Sequence, residues 1–149
     1  MIRVSTRGRY ALRAMVDIAL NDHGRPVGRQ SIAARQGIST EYVALLFRSL
    51  IAAHLVRSTK GPGGGYQLAK AAANIRAGDI VRAAEGPVAV VHCVAPSSKR
   101  LCPHTGACVT HHLWRRLSES METFLDSVTL ADLVADAREL ADTGECPTA

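Results

Sequence analysis

The 149-residue sequence predicts a mainly α-helical fold with one small β-hairpin: a winged helix-turn-helix unit followed by a long helix. Three observations predict it. Apolar residues recur at helical spacing over 6–22, 29–36 and 40–54. The run Gly61-Pro62-Gly63-Gly64-Gly65 separates two short β-capable pieces directly after the third helix. An apolar stripe of Leu113, Leu117, Met121, Phe124 and Val128 then marks one face of a further helix.

The first helix, 6–22, buries Ala11, Leu12, Met15, Val16, Ala19 and Leu20, with Ser5 or Thr6 as its cap. His23-Gly24-Arg25-Pro26 ends it, because glycine suits a helix exit and proline blocks continuation. A short helix over 29–36 buries Ile32 and Ala33. Gly37 supplies a left-handed exit and Ile38 plugs the corner. Ser39 caps the next helix, which is expected to reach His54 and to bury Val43, Leu46, Phe47, Leu50 and Ile51. Helix, tight glycine turn, helix is the helix-turn-helix pattern, although an ordinary helical hairpin shares it.

The stretch 56–69 reads as a hairpin, and a hairpin after a helix-turn-helix makes a winged helix. The glycine-rich loop is not read as a nucleotide site, since no Gly-Lys-Ser/Thr follows and Tyr66-Gln67-Leu68 resembles a strand. A helix over 76–85 places Ile80, Val81 and Ala84 on one side, Gly86-Pro87 stops it, and 88–91 is brief and apolar. The long helix is expected over 109–127. Its stripe is coiled-coil-like and needs a partner, most simply a second copy of the chain. Thr129-Leu130-Ala131-Asp132 resembles a capping box and opens a last helix to about Asp142. The expected division is a DNA-binding domain at 1–86, a cysteine-rich loop at 87–111, the dimerisation and final helices at 112–142, and a tail at 143–149.

Charge points to the same partner. Residues 1–70 hold eleven Lys/Arg against three Asp/Glu, whereas residues 71–149 hold seven against ten. A basic first half suggests a polyanion held by one end, with a solvated charged face as the plain alternative. No apolar run approaches the roughly 18 residues of a membrane span, and no signal-peptide core opens the chain, so a cytoplasmic protein without a membrane partner is expected. No general-base pair or substrate pocket is readable, so an enzyme is not expected.

The stretch from Cys93 to Trp114 gathers three of the four cysteines and three of the six histidines. Cys93, Cys102, Cys108 and His111 can enclose a soft metal centre, with Pro103 and Gly106 as turn residues. Residue types and spacing leave three options: an iron–sulfur cluster, a structural zinc with three thiolates and an imidazole, or free thiols that form a redox switch. His92, His104 and His112 are rival ligands, read as solvated loop side chains.

Four stretches carry a resemblance over residues 1–140: STRGRYALRAMVDIA, the block GISTEYVALLFRSLIAAHLVRSTKGPGGGYQLA, IRAGDIVRAAEG, and the loop from Cys93 through Cys102 and Cys108 to His111 leading into HLW. Together they resemble the IscR/NsrR/RirA-type winged-helix transcription regulators of the Rrf-two family. The resemblance implies a homodimer paired through the long helices, and a double-stranded DNA operator entered by the helix from Thr40 and by the wing. It implies DNA-contacting roles for Ser39, Thr40, Glu41 and Tyr42. Arg9, Arg29, Arg48, Arg57 and Lys60 supply phosphate attraction, and Gly63, Gly64 and Tyr66 belong to the wing. It implies an iron–sulfur cluster on Cys93, Cys102, Cys108 and His111, two-iron (2Fe–2S) in preference to four-iron (4Fe–4S) because histidine ligation is familiar there. The expected function is a repressor gated by that cluster.

The chain departs from the family pattern in four places. Ser97-Ser98-Lys99-Arg100 widens the gap between Cys93 and Cys102. Gly8-Arg9-Tyr10 stands where the nitric-oxide-sensing branch can use an acidic ligand. Lys60 replaces a common arginine and Ala44 a site-discriminating glutamate, so the family's operators do not transfer to this chain.

Overall fold

The computed structural model describes residues 4–96 and 108–143. Its elements are α1 (Thr6–Asn21), α2 (Arg29–Gln36), α3 (Thr40–Ala52), β1 (Val56–Thr59), β2 (Gly65–Leu68), α4 (Ala77–Glu85), α5 (Val109–Ser127) and α6 (Leu130–Thr143). Single 3₁₀ turns lie at Ala72–Asn74 and His92–Val94.

Local chemistry sets most of the boundaries. Ser5 caps α1 by accepting from the Gly8 N–H at 3.2 Å. Gly37 adopts φ +65° and its N–H returns to the last carbonyls of α2. Two residues on, the Ser39 hydroxyl accepts from Tyr42 N–H at 3.1 Å and opens α3. α3 ends at Ala52, two residues before the expected His54. His54 itself takes the left-handed conformation, at φ +56°. This reversal lets the Leu55 N–H bond the Leu50 carbonyl at 3.0 Å and drops Leu55, 2% exposed, into the core. Burial of Leu55 offsets the cost of a non-glycine residue there.

α1 runs through the middle of the molecule and packs against α2, α3, α4, α6 and β2. Ala11, Ala14, Met15 and Ile18 of α1, Ile32 of α2, Val43, Leu46, Phe47 and Leu50 of α3, and Ile80 of α4 form the core. Of the residues expected to be buried, Leu12, Val16, Ala19 and Leu20 of α1 and Ile51 of α3 are only half-buried, because the core face of α1 runs through Ala11, Ala14, Met15 and Ile18. Leu130, from the start of α6, is also fully buried in it. The α5–α6 corner is pinned by Ala77 N–H to Val128 O at 2.9 Å and Leu130 N–H to Ile75 O at 2.8 Å.

The wing is an antiparallel pair with Val56 opposite Leu68 and Ser58 opposite Tyr66. Val27 adds a third short edge, exchanging two backbone hydrogen bonds with Tyr66 at 2.8 and 2.9 Å. A side chain on Gly65 would collide with the Val27 carbonyl, so that close approach needs glycine.

α5 coincides with the expected 109–127, yet of its nineteen residues only Ser118 is buried. Val109, Leu113 and Phe124 are exposed, while Leu117, Met121 and Val128 are half-buried. Ser118 Oγ accepts from Val90 N–H at 3.2 Å, which ties the incoming chain to α5. Residues 88–91 form neither helix nor strand. Among the described residues, no helix is long and apolar enough to cross a membrane.

Candidate nucleic-acid interface and cysteine loop

The expected DNA-binding residues lie on α1, α2, α3 and the hairpin. α3 buries one face, which leaves Glu41, Leu45 and Arg48, spaced four and three apart, exposed along the opposite one. Its first turn carries Thr40, whose hydroxyl donates to the Glu41 carboxylate at 2.9 Å. The Glu41 carboxyl lies below its ordinary range. Its own backbone N–H is the largest cause, then the Thr40 and Ser39 hydroxyls, with the positive charge of Arg29 a smaller one. Arg29 also acts on the Tyr66 hydroxyl, so its charge lies between the start of α3 and the wing.

Arg57 is exposed on β1, as are Lys60 and Gly63 at the tip of the hairpin, while Gly64 is half-buried. Gly63 takes φ +72°, and a side chain on Gly64 would strike the Thr59 carbonyl, so the turn demands both glycines. Tyr66 is less free than the sequence suggests. Its ring stacks on core Phe47, with centroids 4.2 Å apart and planes at 19°, and burial pushes its hydroxyl pKa up. The residue therefore anchors the wing to α3. Arg9 is exposed on the first turn of α1, with one nitrogen 3.4 Å from Thr6 Oγ1. Arg7 instead turns its Nε inward, where it is buried and has no hydrogen-bond partner among the described residues.

Leu45 was not singled out from the sequence. Within VALLFRSLI an apolar residue reads as core, and only the packing shows that Leu45 is 45% exposed. It lies between Glu41 and Arg48 on the free face of α3.

Of the four expected metal ligands, Cys102 lies outside the described residues. Cys93 sits, half-buried, in the 3₁₀ turn His92–Val94, which packs against α5. Cys108 is the N-cap residue of α5 and His111 lies in its first turn. The Cys108 Sγ lies 3.1 Å from the Thr110 hydroxyl. That contact, then the His111 backbone N–H, lowers the thiol pKa. Free N–H groups at a helix start favour a thiolate in the same sense. Among the described residues, no three Cys, His, Asp or Glu side chains converge on one point. The donor chemistry, two thiols and an imidazole on or against one helix, fits a soft metal centre. The His111 and His112 rings stand 6.2 Å apart at 80°, in keeping with their different directions around the helix.

The family comparison agrees with this architecture. The Rrf2 family, described as iron-dependent transcriptional regulators, matches residues 4–136. The HTH-type transcriptional regulator IscR of Yersinia pseudotuberculosis is 43% identical over 143 residues, spanning 95% of this chain and 85% of that protein. Among solved structures, T. potens IscR has a TM-score of 0.74 at 39% identity, covering 92% of this chain and 89% of that one. CymR, the global cysteine regulator of B. subtilis, has a TM-score of 0.72 at 34% identity, covering 91% and 98%. These relatives are named as regulators, not enzymes. The chain belongs to the Rrf2 family and is a winged-helix, DNA-binding transcriptional regulator.

Proposed function

We propose that the protein is a cytoplasmic, homodimeric repressor whose grip on a double-stranded operator changes with an iron–sulfur cluster held by Cys93, Cys102, Cys108 and His111. The observation that carries the reading is the start of α5. One short stretch places a thiol of lowered pKa at the helix N-cap and an imidazole in the next turn, on the helix whose apolar residues are largely exposed. Such a cluster would make the protein a sensor of iron, of cluster supply, or of redox or nitric-oxide status, and two iron atoms suit a ligand set containing histidine. The exposed Val109, Leu113 and Phe124 favour pairing with a second copy through α5.

On DNA, Ser39, Thr40, Glu41 and Tyr42 reach the major groove from the first turn of α3. The Gly63–Gly64 tip of the wing follows the minor groove. Arg9, Arg29, Arg48, Arg57 and Lys60 meet phosphates. Glu41, kept ionised by its local hydrogen bonds, suits the amino group of a cytosine, and Leu45 suits a thymine methyl.

The test is the visible spectrum of anaerobically purified protein, with iron, sulfide and zinc assayed on the same sample. Equal iron and sulfide with a brown colour supports the cluster. A colourless protein with one zinc per chain replaces it by a structural clasp, and a metal-free protein that forms a disulfide on oxidation replaces it by a thiol switch. Cys102→Ala then abolishes iron loading and changes operator affinity while the winged helix stays folded. An unchanged binding profile overturns the gating.

A further inference from the structure

A line of contacts joins the most buried carboxylate among the described residues to the first turn of α3. Asp17 on α1 is 5% exposed and is gripped in bidentate fashion by Arg35 of α2, at 2.7 and 2.8 Å. The Gln36 side-chain amide donates to the same carboxylate at 3.3 Å, and its oxygen accepts from Arg13 Nε at 3.0 Å. The Arg13 guanidinium carbon lies 5.0 Å from the centre of the Tyr10 ring. Tyr10 in turn meets Tyr42 edge to face, with centroids 6.0 Å apart and planes at 89°. Tyr42 lies in the first turn of α3 and its N–H is the one that Ser39 caps.

Each link has a definite geometry. A bidentate pair fixes the end of α2, a cation over a ring fixes the plane of that ring, and an edge-to-face pair prefers one mutual orientation. We propose that Tyr10 and Arg13 are positioning residues for operator recognition, holding the first turn of α3 at the angle from which Thr40, Glu41 and Tyr42 meet the bases. The proposal rests on α3 being the recognition helix. It makes the 10, 13, 17 face of α1 a determinant of specificity although those side chains need touch no base.

A rival role exists. Arg9, Tyr10 and Arg13 line a small cleft of about 90 Å³, so Arg13 could instead meet a phosphate directly. The two roles differ in their salt dependence. A phosphate contact weakens all DNA alike and contributes about one to the salt slope, whereas a positioning contact acts on the preferred sequence alone.

The experiment uses the full-length protein, a duplex selected by the wild type from a random pool, and a scrambled duplex of equal length. Binding is measured by anisotropy from about 50 to 200 mM salt. Tyr10→Leu and Arg13→Met are expected to weaken the selected duplex on the order of tenfold. The scrambled duplex and the salt slope should stay unchanged, and Tyr10→Phe, which keeps the ring edge, should behave as wild type. Equal loss on both duplexes with a slope lowered by about one overturns the proposal in favour of direct phosphate contact. No loss on either duplex overturns it as well. If Tyr10→Leu does not fold by circular dichroism, Arg13→Met and Gln36→Met carry the test from half-buried positions. Tyr42→Ala is the control. If it leaves sequence preference intact, the recognition-helix reading fails first and the proposal falls with it.

Discussion

The Asp126 carboxylate of α5 accepts from the Arg82 guanidinium of α4 at 2.7 Å, while the same Arg82 nitrogen reaches Asp79 at 2.9 Å. This pair forms an ionic link between the long helix and the winged helix. α4 packs on both α1 and α3, so under the proposed gating Arg82 is the expected route from α5 to α3. Gly78 permits the contact, because a side chain there would collide with the Asp126 carboxylate. Both partners are about 30% exposed, so the pair contributes only about 1 kcal/mol to stability. Asp126→Asn and Gly78→Ala should each lower the melting temperature by a few degrees, leave iron content unchanged, and reduce the difference in operator affinity between iron-loaded and stripped protein. A full loaded-to-stripped difference in either variant would show that α5 acts by another route.

Under the proposed reading, Arg48 and Leu45 on the exposed face of α3 act on affinity and on specificity respectively. Arg48→Ala should weaken selected and scrambled duplexes equally and lower the salt slope by about one. Leu45→Ala should instead relax preference at a single base pair by about 1 kcal/mol, with the slope intact. Competition with duplexes substituted one base pair at a time measures both. A uniform loss for Leu45→Ala would place that side chain outside the groove.

The elements legible in the sequence are those made by neighbours in the chain. Gly37 and Ser39 set the corner between α2 and α3 through bonds spanning at most four residues, and Thr129 with Asp132 opens α6 in the same way. What escaped depends on distant partners. The Val27–Tyr66 bridge joins residues about forty positions apart, and nothing in either residue type announces it. His54 ends α3 early because Leu55 is wanted in the core, a packing demand and not a local one. Leu45 carries the wrong signal, an apolar side chain in an apolar helix, and only the direction of the neighbouring buried residues turns it outward. Of the candidate metal site, the placing of Cys108 and His111 at the start of α5 was legible because both belong to one helix. Their relation to Cys93 depends on the path of the chain between them.

Phe47 serves two parts of the molecule at once. It is fully buried among core residues and stacks on Tyr66 of the wing. Phe47→Ala should cost about 3–5 kcal/mol, and the wing should loosen beyond what the stability loss alone produces. Hydrogen exchange at the amides of 56–68 below the melting temperature checks this. Wing amides protected as in the wild type would mean that the Val27 pairing alone holds the hairpin.

The start of α6 should respond to acid. The Thr129 hydroxyl donates to Asp132 at 2.7 Å and the Thr129 N–H does so at 2.8 Å. The hydroxyl first, and the N–H second, hold the Asp132 carboxyl below its ordinary pKa. A carboxyl depressed on folding contributes stability that is complete above its unfolded value of about 3.9 and is lost as pH falls through the folded value. Asp132→Asn lacks that acid-dependent contribution. The melting temperature of the wild type should therefore exceed that of Asp132→Asn near neutral pH, and the gap should close as the pH is taken below about 4. Thr129→Val should narrow the gap at neutral pH by removing the principal donor. A gap that stays constant from neutral pH into acid would mean that Asp132 acts at α6 through its shape and not its charge.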